Sequence, residues 1–286
     1  MDTQQTKAYM ADHREGTFTL LDVRQPGEYE KERIPGAKHI PLPELPNRLE
    51  ELDPKKPIIA YWAVGGRSRA AAQLLAGKGF EDVYNLKGGI HAWQGLTTAG
   101  PAEMGMSFVK GNEPPQEIIV LAYGMEKGLG EFYSTLSDQT GDREMAGLFT
   151  NLAGIEEIHK QKLFNLYLNI DSSLSDKETF ESKIVAGVME GGFTTREFLE
   201  QNRSAMQTVP GVLNIAMMLE TQAMDLYMRY SQKIDDDNSK KILYDIAEEE
   251  KAHLTSLGHL LEIKGWRPVR SSQQKTGEKH QRWNLF

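Results

Sequence analysis

Short apolar runs separated by turn residues fill the first hundred positions, and long stretches of helical period fill most of the rest. Phe18-Thr19-Leu20-Leu21-Asp22-Val23 and Pro57-Ile58-Ile59-Ala60-Tyr61-Trp62 are too short for helices and nearly continuously apolar, as buried strands are. After the pair Gly65-Gly66, the segment Ser68 to Leu75 carries alanine and leucine at helical spacing and stops near Gly77 and Gly79, which predicts a helix. Asp82-Val83-Tyr84-Asn85-Leu86 predicts a further short strand. Strands alternating with helices imply an α/β domain with a mainly parallel sheet over residues 1–104. Gly105, Gly111, Pro114 and Pro115, preceded by Gly100-Pro101, mark 105–115 as a linker.

From Gln116 the pattern becomes helical and repeats itself. Residues 119–168 align on 213–262 at a constant offset of 94, so that Ala122 falls on Ala216, Glu126 on Glu220, Tyr133 on Tyr227, Glu156 on Glu250, His159 on His253 and Leu163 on Leu257. Each repeat predicts a helical hairpin, the first broken at Ser137 to Asp142 and the second at Asp235 to Ser239. The segment 169–210 between them is too long for a bare loop. Lys177 to Met189 and Thr194 to Gln201 have helical character, interrupted by Gly191-Gly192 and Pro210-Gly211, so a structured crossover is expected. The chain thus divides into an α/β domain, an all-α four-helix domain over 116–263 and a tail, 264–286.

Charge sharpens this division. Residues 1–104 hold 13 basic and 14 acidic side chains, whereas 105–263 hold 14 against 26 and the tail holds 6 against 1. An acidic helical region argues against a nucleic-acid surface and suits a site that must neutralise cations. There is no cysteine among the 286 residues, which removes disulfides, thiolate metal sites and any thiol nucleophile. The polar start lacks the apolar core of a signal peptide, and no apolar run approaches the roughly 20 residues of a membrane span. A cytoplasmic protein that meets neither membrane nor nucleic acid is expected.

The repeat places particular chemistry on the helices. Glu126 and Glu156 lie 15 residues either side of Gly141, and Glu220 and Glu250 bracket Asp235 in the same way. At 1.5 Å per residue each pair sits about 20 Å from its turn, level on adjacent antiparallel helices. His159 and His253 each follow a glutamate by three, on the same helix face. Four carboxylates and two imidazoles at one height are the ligand set of ferritin-like di-iron and di-manganese proteins. Their charge offsets two divalent ions, or an oxo-bridged trivalent pair, and mixed oxygen and nitrogen ligation suits iron or manganese. Tyr133 and Tyr227, two turns beyond a ligand glutamate, are supporting groups, redox-active phenols or core aromatics. His259 has no repeat partner and reads as a surface residue.

Residues 116–263 resemble the rubrerythrin branch of the ferritin-like superfamily in these six positions. The resemblance implies a four-helix bundle with a long crossover and a di-iron centre acting on peroxide or dioxygen with an external electron donor. It also implies a homodimer. Two departures stand out: Ala223 replaces a glutamate common three residues after the third-helix ligand, and a four-cysteine electron-delivery domain is impossible here. The six-ligand set is nearer bacterioferritin-type sites, so peroxidase and ferroxidase or metal-handling chemistry both remain open. So does a metal-stabilised sensor of an anion or partner.

Residues 17–96 resemble a single-domain rhodanese. The matching pieces are Leu20-Leu21-Asp22-Val23-Arg24 with Glu28, Ile34-Pro35-Gly36-Ala37, and Leu86-Lys87-Gly88-Gly89 with Trp93. In that family a strand ends at a nucleophilic cysteine whose loop wraps its sulfur in backbone N–H groups. Here Trp62 holds the cysteine position, followed by Ala63, Val64, Gly65, Gly66, Arg67 and Ser68. Sulfurtransferase activity by this route is expected to be absent, the loop keeping at most an anion cradle and the domain a regulatory or docking role. Asp22 and Arg24 are read as a structural ion pair.

Overall fold

The structure is a computed structural model that describes residues 1–64, 66–106, 109–171, 176–184, 202 and 205–265. A capped helix α1 (Thr3–Asp12) leads into β1 (Thr19–Asp22), α2 (Pro26–Lys31), β2 (Lys38–His39), β3 (Ile58–Tyr61), α3 (Gly66–Gly77), β4 (Val83–Asn85) and α4 (Gly89–Ala92). The four strands form a parallel sheet in the order β2-β1-β3-β4, with Leu21 opposite Ala60 and Lys38, and Ile59 opposite Tyr84. Leu21, Ile58, Ala60 and Leu75 fill the core on one face of the sheet, and Leu20, Ile34, Ile59, Tyr61 and Leu86 fill it on the other. The three strands expected from the sequence are present as β1, β3 and β4. The two-residue strand β2 and helix α1 carry too weak a periodicity to have been read.

Four long helices follow: α5 (Pro115–Gln139), α6 (Arg143–Ile170), α8 (Val209–Lys233) and α9 (Asp237–Gly265), with the short α7 (Lys177–Glu181) between the pairs. Both hairpin breaks fall where the turn residues place them. Asp142 caps α6 by accepting from the backbone N–H of Glu144 and Met145. Asp236 takes the Ser239 N–H at the start of α9. Of the expected crossover helices, Lys177 to Met189 is helical only through Glu181 before turning, its remainder from 185 lies outside the described residues, and so does Thr194 to Gln201. Among the described residues no helix is long and apolar enough to cross a membrane.

The glycine- and proline-rich connection packs against both parts of the chain. Met106 and Val109 are buried with the core of the long helices, Tyr230 donates to the Gly105 carbonyl at 2.7 Å, and Ser239 Oγ donates to the Glu113 carbonyl at 3.0 Å. The α/β part also touches α9 directly. Arg14 pairs with Asp245 at 2.6 Å, the Glu15 N–H donates to Glu248, and Lys251 donates to the Met10 carbonyl. Gly16 sits here at φ 81°, and a Cβ would lie 2.5 Å from the Tyr244 ring, so only glycine fits.

Glu15 gives this contact a pH dependence. Burial pushes its carboxyl up from 4.5 to about 7, and Lys251 at 3.4 Å only partly offsets burial and the neighbouring Glu248. The folded chain therefore holds a proton between pH 4.5 and about 7 that the unfolded chain releases, and stability is lost as pH rises through that window. The stability difference between wild type and Glu15→Gln should move by about 2–3 kcal/mol in favour of the variant between pH 4.5 and 8. Urea midpoints at the two pH values measure this, and a pH-independent difference would remove Glu15 as the cause.

Candidate metal centre

The apolar interior of the long helices comes in two layers. Ala122, Met125, Leu163, Ala223, Ala247 and Leu254 belong to one, and Leu129, Leu152, Leu219 and Leu257 to the other. Glu126, Glu156, His159, Glu220, Glu250 and His253 lie at the boundary, each within four positions of one of those core residues on its own helix. Five of the six are buried, the exception being the half-buried His253. Sequence register thus becomes a single polar level between two hydrophobic ones.

The six residues form two triads. In Glu126, Glu156 and His159, and again in Glu220, Glu250 and His253, one potential ligand atom from each residue lies within 4.8 Å of the others. His159 Nδ1 is 3.0 Å from Glu156 Oε2 and 3.4 Å from Glu126 Oε2. His253 Nδ1 repeats this with Glu250 at 3.1 Å and Glu220 at 3.4 Å. The two imidazoles stack with centroids 3.6 Å apart and planes within 4°, joining the triads across the repeat. Gly130 permits the approach of α5 to α6, since a Cβ there would meet Glu156 Cβ at 3.3 Å. The sequence shows that glycine but not its purpose.

Electrostatics asks for cations. With all four carboxylates ionised, these six side chains would carry an excess of two negative charges even with both histidines protonated, at a cost of several kcal/mol per uncompensated ion. Burial drives the Glu220 carboxyl up, yet hydrogen bonding with Glu250 and the charge of the His253 and His159 rings outweigh it and hold it below the usual range. A hard oxygen-rich set with one imidazole per triad fits two divalent first-row ions such as iron or manganese. Tyr133 and Tyr227 are buried in the apolar layers on either side of this level, and Tyr227 donates to Met125 Sδ at 3.6 Å. His259 is exposed beside Glu262.

In the α/β part, Trp62 follows β3 and is half-buried against the core of one sheet face. Its Cζ3 lies 3.7 Å from where a Gly66 Cβ would sit, so the indole covers the first residue of α3, where an anion cradle would open. The Trp62 carbonyl accepts from Ile90 N–H at 2.8 Å and that of Ala63 from His91 N–H at 3.1 Å, tying the loop to α4. Val64 is exposed, and Ser68 Oγ turns away to Asn85. Gly65 and the Arg67 side chain lie outside the described residues. Asp22 and Arg24 form the expected buried ion pair at 2.6 Å.

Comparison with known proteins bears on this first part. The model of the rhodanese-like domain matches residues 4–96. The uncharacterized protein YqhL of Bacillus subtilis is 40% identical over 99 residues, 35% of this chain and 77% of that protein. The thiosulfate sulfurtransferase GlpE of Pseudomonas syringae is 36% identical over 81 residues, 28% of this chain and 76% of that protein. The crystal structure of the Alr3790 protein from Anabaena sp. is 34% identical, covers 35% of this chain and 80% of its own, and superposes with a TM-score of 0.33. Through its N-terminal residues the chain belongs to the rhodanese-like domain family.

Proposed function

We propose that the long helices form a ferritin-like, rubrerythrin-type bundle holding two iron ions, and that the chain reduces peroxide or dioxygen with electrons from an external donor. The observation that carries this reading is the pair of Glu-Glu-His triads meeting at one buried level through stacked histidines. Glu126, Glu156 and His159 would hold one ion, and Glu220, Glu250 and His253 the other. Bound there, a redox-active pair would supply the two electrons that cleavage of an O–O bond consumes. The protein's own contribution is to fix six donors at one level between two apolar layers, so that the charge is held in a fixed, poorly solvated geometry. Protein purified without added metal should contain about two iron or manganese ions per chain. After reconstitution with iron it should consume peroxide catalytically when a reductant is supplied. Uptake of many more than two irons per chain without peroxide turnover would favour ferroxidase or storage chemistry instead.

The rhodanese-like domain is assigned a docking or regulatory role without sulfur transfer, because the position of the nucleophilic sulfur holds an indole. No thiocyanate should form from thiosulfate and cyanide with the unmodified chain. Trp62→Cys restores the sulfur at the N-terminus of α3 and uncovers the space over Gly66, so measurable turnover is expected. Turnover by the unmodified chain would refute the assignment. A folded but inactive Trp62→Cys variant would show that the cradle has also been lost.

A further inference from the structure

Helices α6 and α9 leave a groove between them with a volume of about 740 Å³. Its walls are two facing apolar stripes, Leu148, Leu152 and Ile155 on α6 and Leu257 and Leu260 on α9, with Val209 at one side. The groove also reaches Glu156, His159, Glu220 and His253, so it opens onto both triads. Hydrogen peroxide needs roughly the room of two waters, about 60 Å³. The groove is several times larger and lies within the range of sites for small organic molecules, which are mostly apolar with a few convergent polar groups.

Outside the triads its charges balance, two basic against two acidic side chains. Lys162 on α6 and Glu249 on α9 bridge at 2.5 Å beside the triads, and Arg143 and Glu144 are neighbours toward the other end. Among the described lining residues outside the triads no net charge is left to hold an ionic ligand, whereas the stripes offer apolar surface to a neutral chain. Ile155 stays 39% exposed on this wall, an apolar surface that a bound chain would cover.

We infer that the groove binds the alkyl chain of an organic hydroperoxide and delivers its O–O group to the paired triads. The inference rests on the peroxide-reducing reading above and names its substrate class. The reaction is ROOH + 2 e⁻ + 2 H⁺ → ROH + H₂O. The O–O bond breaks, one oxygen stays on carbon as the alcohol, and the other leaves as water. An external reduced one-electron carrier supplies the electrons and solvent supplies the protons.

The test is a homologous series. The iron-loaded full chain, with a reduced viologen dye as donor, is given hydrogen peroxide and n-hexyl, n-octyl and n-decyl hydroperoxides. Burial of one methylene strengthens binding by up to about fourfold, so kcat/KM should climb about two- to fourfold per added carbon. Calorimetric Kd values of the matching alcohols should fall in the same ratio, in metal-loaded and metal-free protein alike. Ile155→Asp and Ala252→Asp, both at partly open groove positions, should flatten that slope and weaken decanol binding at least tenfold. A slope of zero with no alcohol binding overturns the groove assignment while leaving hydrogen peroxide reduction intact. An unchanged slope in both variants also overturns it, because the chain then lies elsewhere. If no hydroperoxide is reduced, hydrogen peroxide included, by protein holding two irons per chain, the peroxide-reducing reading fails and the inference with it.

Discussion

Removing metal from the loaded protein is expected to lower the melting temperature of the helical region by about 10 °C or more. The four carboxylates sit between two apolar layers, so the empty centre keeps its charges together in a medium that solvates them poorly. Metal present at a thousand times its Kd would contribute about 4 kcal/mol per site, and the two triads would make two such sites. Calorimetry with and without chelator measures the difference. Glu156→Ala with Glu250→Ala removes one carboxylate from each triad and should reduce bound metal from about two ions per chain to well under one. The double variant should melt near the metal-free wild type and respond little to chelator. Equal melting temperatures for metal-loaded and chelated wild type, or full metal content in the double variant, would sink the assignment of the centre.

The clustering of the six candidate ligands was legible because its signals are periodic. Two Glu-x-x-His pairs recur at an offset of 94 with an upstream glutamate in register, and helix geometry turns that spacing into one level. The sheet was legible where strands are continuously apolar, as in β1 and β3, and illegible in β2, where Lys38 and His39 are two polar residues that follow β1 only by pairing with it. What the sequence hid depends on partners far along the chain. Arg33 lies beside the Ile34-Pro35-Gly36-Ala37 match, and nothing local says that its guanidinium meets a carboxylate 192 residues away. The groove was hidden for a similar reason. Leu148, Leu152 and Ile155 carry the spacing of core residues, and only the separation of α6 from α9 leaves that stripe partly uncovered. One clue did exist: Asp225 and Arg229, an i,i+4 pair, interrupt an otherwise mainly apolar stretch of α8, and every residue from Ala223 to Ser231 is buried.

That hidden contact carries the largest single-residue effect expected on stability. Asp225 accepts from Arg33 Nη2 at 2.7 Å, from Arg229 Nε at 2.9 Å and from the Gly36 N–H at 3.2 Å, all in buried surroundings. Burial pushes its carboxyl up, but the two guanidinium groups beside it outweigh burial and hold it below the usual range. The remaining guanidinium donors reach backbone carbonyls of the connection, Arg33 to Gly100 and Arg229 to Ala102 and Met104. One carboxylate thus ties the α/β part, the connection and α8 together, five residues beyond Glu220. Asp225→Ala leaves two buried guanidiniums without their counter-ion, a loss of about 3–5 kcal/mol. Replacing Asp225, Arg33 and Arg229 together by Leu, Met and Met removes the unpaired charges along with the partner, so most of that loss should be recovered. Urea unfolding gives both values, and metal content separates this effect from the centre, since Asp225→Ala should keep its two ions under native conditions. Limited proteolysis should cut the 97–114 connection faster in Asp225→Ala than in wild type. A loss below 1 kcal/mol, with cleavage unchanged, would show that apolar packing, such as that of Met106 and Val109 in the core of the long helices, holds the connection in place without the charges.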